Sequence, residues 1–338
     1  MKALNEPTIS VRVLKLNLQS FVELLGDDVY DFIEQRYGLT LADLEDDDRR
    51  VPIRITVDLI NKVSAITKNP ILGLTWYQRI GSTFSSKIFS AVYYTANIRG
   101  MLEMVMRYMH LISEMGEFKL YSRGEVGVVE FLPVVDPVIT HHQIDAMLLG
   151  ITGFFKPINE NRFTRILLKH TCPGDCQSAY TEAFQTKVEF SQDKYALEFP
   201  VEWLKQSLQS KAISVDALVE LEKLSSDVDS TKTFDQQLAG VMSSSLIFGE
   251  PRREEIATAW GISVSTMQRK LKAVGTSFQK VLETVRFEKA KEYLSDPIYT
   301  CEEVAFLVGY SEVRPFYIAF KRWTGTAPGQ YRQSLCLD

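Results

Sequence analysis

The chain has 338 residues, of which 45% are hydrophobic and 24% are charged, a composition typical of a globular protein rather than a disordered one. A chain of this length predicts two domains. No stretch reaches the ~18 consecutive apolar residues that a membrane-spanning helix needs. The first residues also lack the apolar segment of a signal peptide, so we expect no membrane association and a cytoplasmic location.

The charge distribution and the number of cysteines further narrow the classes of protein to which the chain can belong. Cys172, Cys176, Cys301 and Cys336 are too few for a disulfide scaffold, which favours a reducing compartment. Within a net charge of −5, residues 250–338 hold 13 Lys and Arg against 11 Asp and Glu, and residues 1–249 hold 25 against 32. This basic surplus is small, so nucleic-acid binding has to be argued from the arrangement of residues rather than from bulk charge.

Apolar periodicity over the first 200 residues predicts mixed α and β structure in which helix dominates. Predicted helices cover residues 10–37, 56–68 with Thr56 as N-cap, about 85–115, 141–157 and 175–184. Predicted strands cover residues 118–121, 126–131, 166–170, 187–190 and 195–199, the first two forming a hairpin. The segment 85–115 is rich in methionine, an adaptable side chain that suits either a plain core or the wall of a ligand cavity.

A domain boundary is predicted after a helical stretch at 201–224. Residues 225–233 (SSDVDSTKT) have the composition of a linker, because Val228 is their one apolar residue. The prediction is therefore an effector and dimerisation domain at 1–224, a linker at 225–233, and an all-α domain at 234–338. A helix just before a linker is a natural place for self-association, so we expect a homodimer.

The stretch 253–272 predicts a helix–turn–helix. Gly261 lies where the chain reverses, since glycine accepts a positive φ, and Ser263 follows as the N-cap of the second helix. Met267 and Leu271 share the inner face of that helix. Its outer face carries Ser265, Gln268, Arg269 and Lys272. Such a face suits a DNA major groove, with Gln268 and Arg269 as base readers and Lys272 on phosphate.

A second helix–turn–helix is predicted after a long helix at 277–295. Thr300 and Ser311 are its predicted N-caps, and Gly309 makes the turn. The outward positions of its second helix hold Val313, Arg314, Pro315 and Ile318. Arg314 is the polar reader among them, and Lys321 and Arg322 are predicted to contact the DNA backbone. Whether this helix reads bases, or mainly supports binding through shape and phosphates, stays open.

Together these segments resemble the DNA-binding domain of the AraC/XylS family of bacterial transcription regulators. The resemblance spans residues 250–332 and rests on IATAWGISVSTMQRKL, VAFLVGYSEVRPFYIAF and the closing FKRWTGTAPGQYR. An arginine is common in the family where Ile318 stands. Residues 10–224 resemble, more weakly, the arabinose-binding-type effector domain of one branch of the family, through VPIRITVDLINKV, the segment from residue 81 to 114 and residues 172–200.

The resemblance implies a sequence-specific DNA-binding regulator, an activator that recruits RNA polymerase and responds to a small-molecule effector. The side chains predicted to line the effector site are Phe84, Tyr93, Met101, Met104, Tyr108 and Phe131. They would suit a largely apolar effector. An amino-acid-like effector would instead need Arg99, Arg107 or Arg123 turned inward.

No catalytic motif is found, so no enzyme activity, cofactor or metal is predicted. His141, His142 and Asp145 place two imidazoles one turn from a carboxylate, but a metal site needs a further ligand that the sequence does not identify. A polar helix N-terminus is the favoured interpretation. Cys172 and Cys176 form a CxxxC without a second pair.

Two alternatives to a DNA-binding regulator stay open. One is a DNA-tethered enzyme with a cysteine methyl acceptor, although that class needs a metal-bound cysteine cluster near the N-terminus and the first cysteine is Cys172. The other is a ligand-binding or dimerisation protein whose DNA binding has weakened, which the absent arginine at Ile318 would fit.

Overall fold

The computed structural model describes residues 6–46, 49–80, 95–135, 138–153, 155, 162–172, 174–208 and 214–335. Phe84 and Tyr93 of the predicted effector set therefore lie outside the described residues. The chain forms two compact units, one from residues 1–86 and 106–203 and the other from residues 87–105 and 204–338.

Helices of the first 208 residues combine with two β-sheets. The helices are α1 (Val11–Leu25), α2 (Asp28–Tyr37), α3 (Arg54–Thr67), α4 (Leu72–Ile80), α5 (Ile98–Tyr108), α6 (His141–Gly153) and α7 (Gln177–Phe184). The strands are β1 (Thr8–Ser10), β2 (Arg50–Pro52), β3 (Gly116–Arg123), β4 (Val126–Pro133), β5 (Arg165–Leu167), β6 (Lys187–Glu189) and β7 (Tyr195–Pro200). Short 3₁₀ helices cover Ala42–Leu44, Met109–Leu111 and Val201–Lys205.

The larger sheet has the strand order β3-β4-β7-β5-β6, in which β5 and β6 are parallel and the other neighbours antiparallel. The predicted hairpin is confirmed as β3–β4, and Gly124 supplies the positive φ of 60° that its turn requires. The smaller sheet pairs β1 with β2. Helices α1, α3, α4 and α6 pack together in the same unit, where Phe21 of α1 contacts Trp76 of α4 with ring centroids 5.5 Å apart.

The helical region predicted over residues 10–37 consists of α1 and α2, since α1 ends at Gly26, where φ is 66°. One predicted detail of this unit is wrong. Helix α3 begins at Arg54, so Thr56 is not its N-cap. The Thr56 hydroxyl instead donates to the carbonyl of Ile53 at 2.7 Å from within the first turn.

The residues that the structure describes in the second unit are helical apart from an isolated bridge between Asn97 and Ser207. After residue 213 its helices are α8 (Val215–Val228), α9 (Phe234–Ser245), α10 (Arg253–Ala259), α11 (Val264–Ala273), α12 (Phe278–Ser295), α13 (Cys301–Leu307), α14 (Val313–Thr324) and α15 (Pro328–Leu335). A 3₁₀ turn at Leu246–Phe248 follows α9.

Helix α8 changes the predicted boundary region. It packs against α9 and α10, with Leu218, Val219 and Leu221 buried, so it belongs to the C-terminal unit. The predicted linker at 225–233 therefore begins inside a helix, because α8 extends to Val228. Ser225 is fully buried on the packed face of this helix. The division between an effector domain and a DNA-binding domain at this point stays a prediction.

Two further features complete the description of the fold. Cys172 and Cys176 are joined by a disulfide that was not expected from the sequence. Among the helices that the structure describes, none has the length and apolar character to cross a bilayer.

Candidate DNA-binding interface

The first helix–turn–helix consists of α10, a turn at Gly261 and α11. Gly261 has a φ of 71°, and the Ser263 hydroxyl accepts from the backbone N–H of Thr266 at 3.1 Å, so both the predicted turn and the predicted cap are confirmed. Met267 and Leu271 are fully buried. The i, i+4 spacing of these two apolar side chains anchors α11 and turns its other face to solvent.

The exposed face of α11 holds the residues predicted to contact DNA. Ser265, Gln268, Arg269 and Lys272 are all exposed. Within the part of the chain that the structure describes, none of their side chains has a hydrogen-bond or ion-pair partner. Helix α11 contains no acidic residue, and Lys270 adds another positive charge. The face therefore presents donors to an incoming anionic ligand without first having to break an internal contact.

The second helix–turn–helix consists of α13, a turn at Gly309 and α14. Thr300 and Glu303 form a reciprocal capping box at the start of α13, which confirms Thr300 as the N-cap. Gly309 has a φ of 80°. The predicted cap Ser311 is wrong, since α14 begins at Val313 with Glu312 in the cap position. Pro315 thus lies in the first turn, where its missing N–H costs no helical hydrogen bond.

Arg286 of α12 stabilises this second turn through hydrogen bonds, a role that was not predicted from the sequence. Its guanidinium donates to the carbonyls of Val308 and Gly309 at 3.1 and 2.9 Å and lies over the Tyr310 ring. Arg286 is 4% exposed. The sequence does contain a signal for this role. Arg286 lies midway between Leu282 and Ala290 in an i, i+4 series on the buried face of the helix, where a charged side chain needs partners.

The surface of α14 differs from that of α11. Arg314 and Lys321 are exposed, and Ile318 is 63% exposed, as an outward-facing position requires. Arg322 is exposed too, but it forms an ion pair with Glu283 of α12 at 2.8 Å. The groove beside α14 is lined by three carboxylates, of Glu250, Glu283 and Glu312, which balance the charges of Arg286, Arg314 and Arg322. Because α11 carries no such acidic neighbours on its own helix, the second helix is a poorer anion-binding face than the first.

Helix α12, which joins the two helix–turn–helix units, also contacts α5. Arg99 of α5 donates to Asp296 at 2.9 Å and to Glu292 at 3.0 Å, and Lys289 donates to Glu103 at 2.8 Å. Burial opposes the charge of Arg99, but the neighbouring carboxylates outweigh it and hold its pKa well above its ordinary value. Burial likewise opposes ionisation of Glu103, and Lys289 and Arg99 nevertheless lower its pKa.

The described members of the predicted effector set are buried. Met101 and Tyr108 have no exposed surface, and Met104 and Phe131 are 3% and 2% exposed. Met101 and Met104 belong to the second compact unit, and Tyr108 and Phe131 to the first. A pocket shared by these four side chains stays a prediction.

Comparison with known proteins gives matches over both parts of the chain. A family model described as a helix-turn-helix domain matches residues 256–334. The model for the N-terminal arabinose-binding domain of AraC transcription regulators matches residues 32–208, more than half of the chain. The chain belongs to the AraC family of transcription regulators. It is therefore a DNA-binding regulator and not an enzyme, which confirms the predicted fold class and function and sets the DNA-tethered enzyme aside.

The chain is also similar to individual proteins of known name. The ornithine utilization regulator of Pseudomonas aeruginosa is 26% identical over 82% of this chain and 82% of its own. The uncharacterized HTH-type transcriptional regulator Rv1395 of Mycobacterium tuberculosis is 23% identical over 86% of this AraC-family chain and 87% of its own. The crystal structure of the transcriptional regulator CdpR from Pseudomonas aeruginosa aligns with a TM-score of 0.48 and 20% identity, covering 84% of this chain and 93% of that one.

Proposed function

We propose that this AraC-family regulator reads its operator mainly through α11 and activates transcription when its N-terminal domain binds a small effector. The exposed and unpartnered pair Gln268 and Arg269 on α11 is the observation that supports this most. Gln268 has the geometry to recognise adenine, and Arg269 can bind guanine through two hydrogen bonds. Lys272 contacts phosphate and adds affinity without sequence preference.

Helix α14 has a supporting role in this proposal. Arg314 contacts DNA, Ile318 touches a thymine methyl group, and Lys321 and Arg322 contact the backbone. Two helix–turn–helix units on one body address successive major-groove segments about 34 Å apart. A cytoplasmic homodimer would then place four such helices on paired half-sites, and effector binding would shift the population of domain arrangements that match the half-site spacing.

Selection from a random DNA pool tests the DNA-binding part of the proposal. The full chain should enrich one motif, and the logarithm of its binding constant should fall linearly with the logarithm of salt concentration, since phosphate contacts release counterions. Failure to enrich a motif, or an affinity that is flat between low and moderate salt, would contradict it.

The route from the effector to DNA is proposed to run through α5. Met101 and Met104 of the predicted effector set lie on the same helix as Arg99 and Glu103, whose side chains contact α12. A shift of α5 on effector binding would act directly on the helix that carries both helix–turn–helix units.

The effector is proposed to be largely apolar. The name of the ornithine utilization regulator suggests an amino acid for that relative. In this chain Arg99 is committed to carboxylates, Arg123 is exposed, and Arg107 has an interaction within the chain, so these three arginines give little support to an effector carboxylate. Met101 and Met104 favour a fatty acid or a similar molecule instead.

Thermal unfolding of the full chain with panels of fatty acids and amino acids tests this choice. A ligand at ~100 times its Kd should stabilise the protein by about 2.7 kcal/mol. Stabilisation by amino acids alone would contradict the apolar effector. Transcription by purified RNA polymerase from a promoter carrying the selected motif should then rise with the effector, and a fall would make the chain a repressor.

A further inference from the structure

All four histidines of the chain belong to the first compact unit, and three of them gather in one cluster. His141 and His142 begin α6, with ring centroids 3.9 Å apart, and His170 follows β5, with its ring 5.1 Å from that of His141. Asp145, one turn further along α6, is fully buried among them. None of these residues belongs to the DNA-binding interface, and the proposed function does not use them.

Several polar atoms of this cluster lack the partners that burial requires. Asp145 Oδ1, His141 Nε2 and both ring nitrogens of His170 are buried without a hydrogen bond from any described residue. A buried polar atom without a partner costs free energy, and native structures leave few of them. The concentration of such atoms at one point indicates a ligand there, because Asp145 Oδ1, His141 Nε2 and one of the two nitrogens of a neutral His170 ring each have a lone pair available.

The remaining bonds of the cluster orient these free atoms. The His141 ring donates to the backbone carbonyl of Pro70, so the lone pair of the neutral ring is on the free Nε2. Tyr180 donates to Asp145 Oδ2 at 2.6 Å and leaves Oδ1 open. In His141 and Asp145 one atom is held by the protein and the other is free, which is the pattern of metal-ligating His and Asp side chains. His170 is oriented differently, since neither of its ring nitrogens has a hydrogen bond from a described residue.

Two observations place these atoms at distances that suit a metal ion. Tetrahedral ligands about 2.0–2.1 Å from zinc lie about 3.4 Å from each other, and His170 Nε2 is 3.5 Å from Asp145 Oδ1, a distance that also allows an ion pair between them. Ligand atoms of His141, His142 and Asp145 lie within 4.8 Å of one another. The side chains of His141 and Asp145 project from the same face of α6, since they are spaced i, i+4.

His142 is a neighbour of this set rather than part of it. Its Nε2 lies 3.2 Å from the Ser64 hydroxyl, and its Nδ1 accepts from the backbone N–H of Gly73 at 3.4 Å, so both nitrogens have partners. Gly73 of α4 allows this approach, because a Cβ there would lie 2.4 Å from the His142 carbonyl oxygen. The close contact of α4 with α6 therefore holds His142 in place next to the cluster.

We propose that His141 Nε2, His170 Nε2 and Asp145 Oδ1 bind a first-row divalent transition-metal ion, with Zn²⁺ as the reference ion. Imidazole nitrogen and carboxylate oxygen are ligands that such ions accept, and three protein ligands leave one position for water or another donor. The ion joins α6 to the segment after β5. Sequence reasoning lacked the third ligand, because His170 lies on a different element and only the fold brings it to His141 and Asp145.

Metal analysis of the full chain, purified without a histidine tag and stripped with a chelator, tests the site. Titration with Zn²⁺ should show one ion per chain, and Co²⁺ should give visible absorption bands typical of a tetrahedral nitrogen and oxygen site. The variants His141→Ala and His170→Ala should lose this binding. His110→Ala should keep it, because His110 lies outside the cluster and its ring contacts the Arg107 carbonyl.

Tyr180→Phe keeps the test decisive if those variants fail to fold, since it removes a hydroxyl from an otherwise unchanged ring. It should weaken Zn²⁺ binding about 10–100-fold, as loss of a hydrogen bond to a ligand typically does. The proposal is overturned if the wild-type chain binds no metal ion, or if Tyr180→Phe and His170→Ala bind as the wild type does. It is also overturned if binding needs reduced Cys172 and Cys176 and brings thiolate-to-cobalt absorption.

Discussion

Arg99 and Asp296 form a buried ion pair, in which the guanidinium donates to the carboxylate at 2.9 Å and the two side chains are 5% and 8% exposed. Arg99 lies in the stretch matched by the arabinose-binding domain model, and Asp296 lies in the stretch matched by the helix-turn-helix model. The pair therefore joins segments of the two family domains inside one compact unit. It is also the contact between α5 and α12 on which the proposed effector route depends.

Arg99→Ala is expected to destabilise the chain strongly. The change leaves Asp296 and Glu103 buried without this cation, and removal of one partner of a buried ion pair typically costs about 3–5 kcal/mol. Urea unfolding measures the loss. Arg252→Ala is the matched control, because Arg252 is 76% exposed in its ion pair with Glu255 and should change stability by less than about 0.5 kcal/mol. Equal stability of the two variants would show that the network contributes nothing.

Arg286→Met should loosen the second helix–turn–helix while the first stays intact. The carbonyls of Val308 and Gly309 each lose a charged donor, and such hydrogen bonds contribute about 1.5–3 kcal/mol. Hydrogen exchange should therefore rise at α13 and α14 and stay unchanged at α11. Lys291→Met, on the same helix, serves as the control. Unchanged exchange at the Gly309 turn in Arg286→Met would contradict this role.

Glu283→Gln is expected to tighten DNA binding. Arg322 then loses its carboxylate partner and becomes available to a phosphate, so the affinity for DNA should rise severalfold. The slope of the logarithm of the binding constant against the logarithm of salt concentration should become steeper by up to about one unit, because one more counterion is released. Glu288→Gln removes the same charge from α12 at a residue paired with Lys291, so it controls for bulk charge. Identical gains in the two variants would rule out a specific role for Arg322.

The local elements of the DNA-binding domain were predictable because their signals are local. The Ser263 cap, the Thr300 cap and the glycine turns at 261 and 309 each depend on a few adjacent residues. Periodicity likewise identified the inner and outer faces of α11. These faces follow from the 3.6-residue repeat alone.

Contacts between distant elements were not predictable from the sequence. Three contacts each join residues on different elements. They are the hydrogen bonds of Arg286 to the second turn, the ion pairs of Arg99, and the approach of His170 to Asp145. Helix α8 shows the same limit. The polar composition of residues 225–233 predicts a solvated linker, but the start of this segment belongs to α8, which packs against α9 with Ser225 buried. Composition describes how a segment interacts with water, and not which partner it meets.

Glu303 should make the stability of the second helix–turn–helix depend on pH. Burial opposes its ionisation, but the hydrogen bonds from Thr300 and Lys205 outweigh this and lower its pKa below the ordinary 4.5. A lowered folded pKa adds stability that is present above the unfolded pKa and is lost as pH falls through the folded value. Wild type should therefore exceed Glu303→Gln in urea unfolding at neutral pH, and the difference should disappear under acid. A difference that persists unchanged in acid would contradict the assignment.

Base reading by α11 is tested most directly by the specificity ratio of two arginine variants. Affinities of wild type, Arg269→Ala and Arg314→Ala are measured for the selected motif and for scrambled DNA at one salt concentration. Arg269→Ala should lose about 1–3 kcal/mol of preference for the motif, and Arg314→Ala should lose less. A wild-type ratio in Arg269→Ala, or a larger loss in Arg314→Ala, would contradict the account.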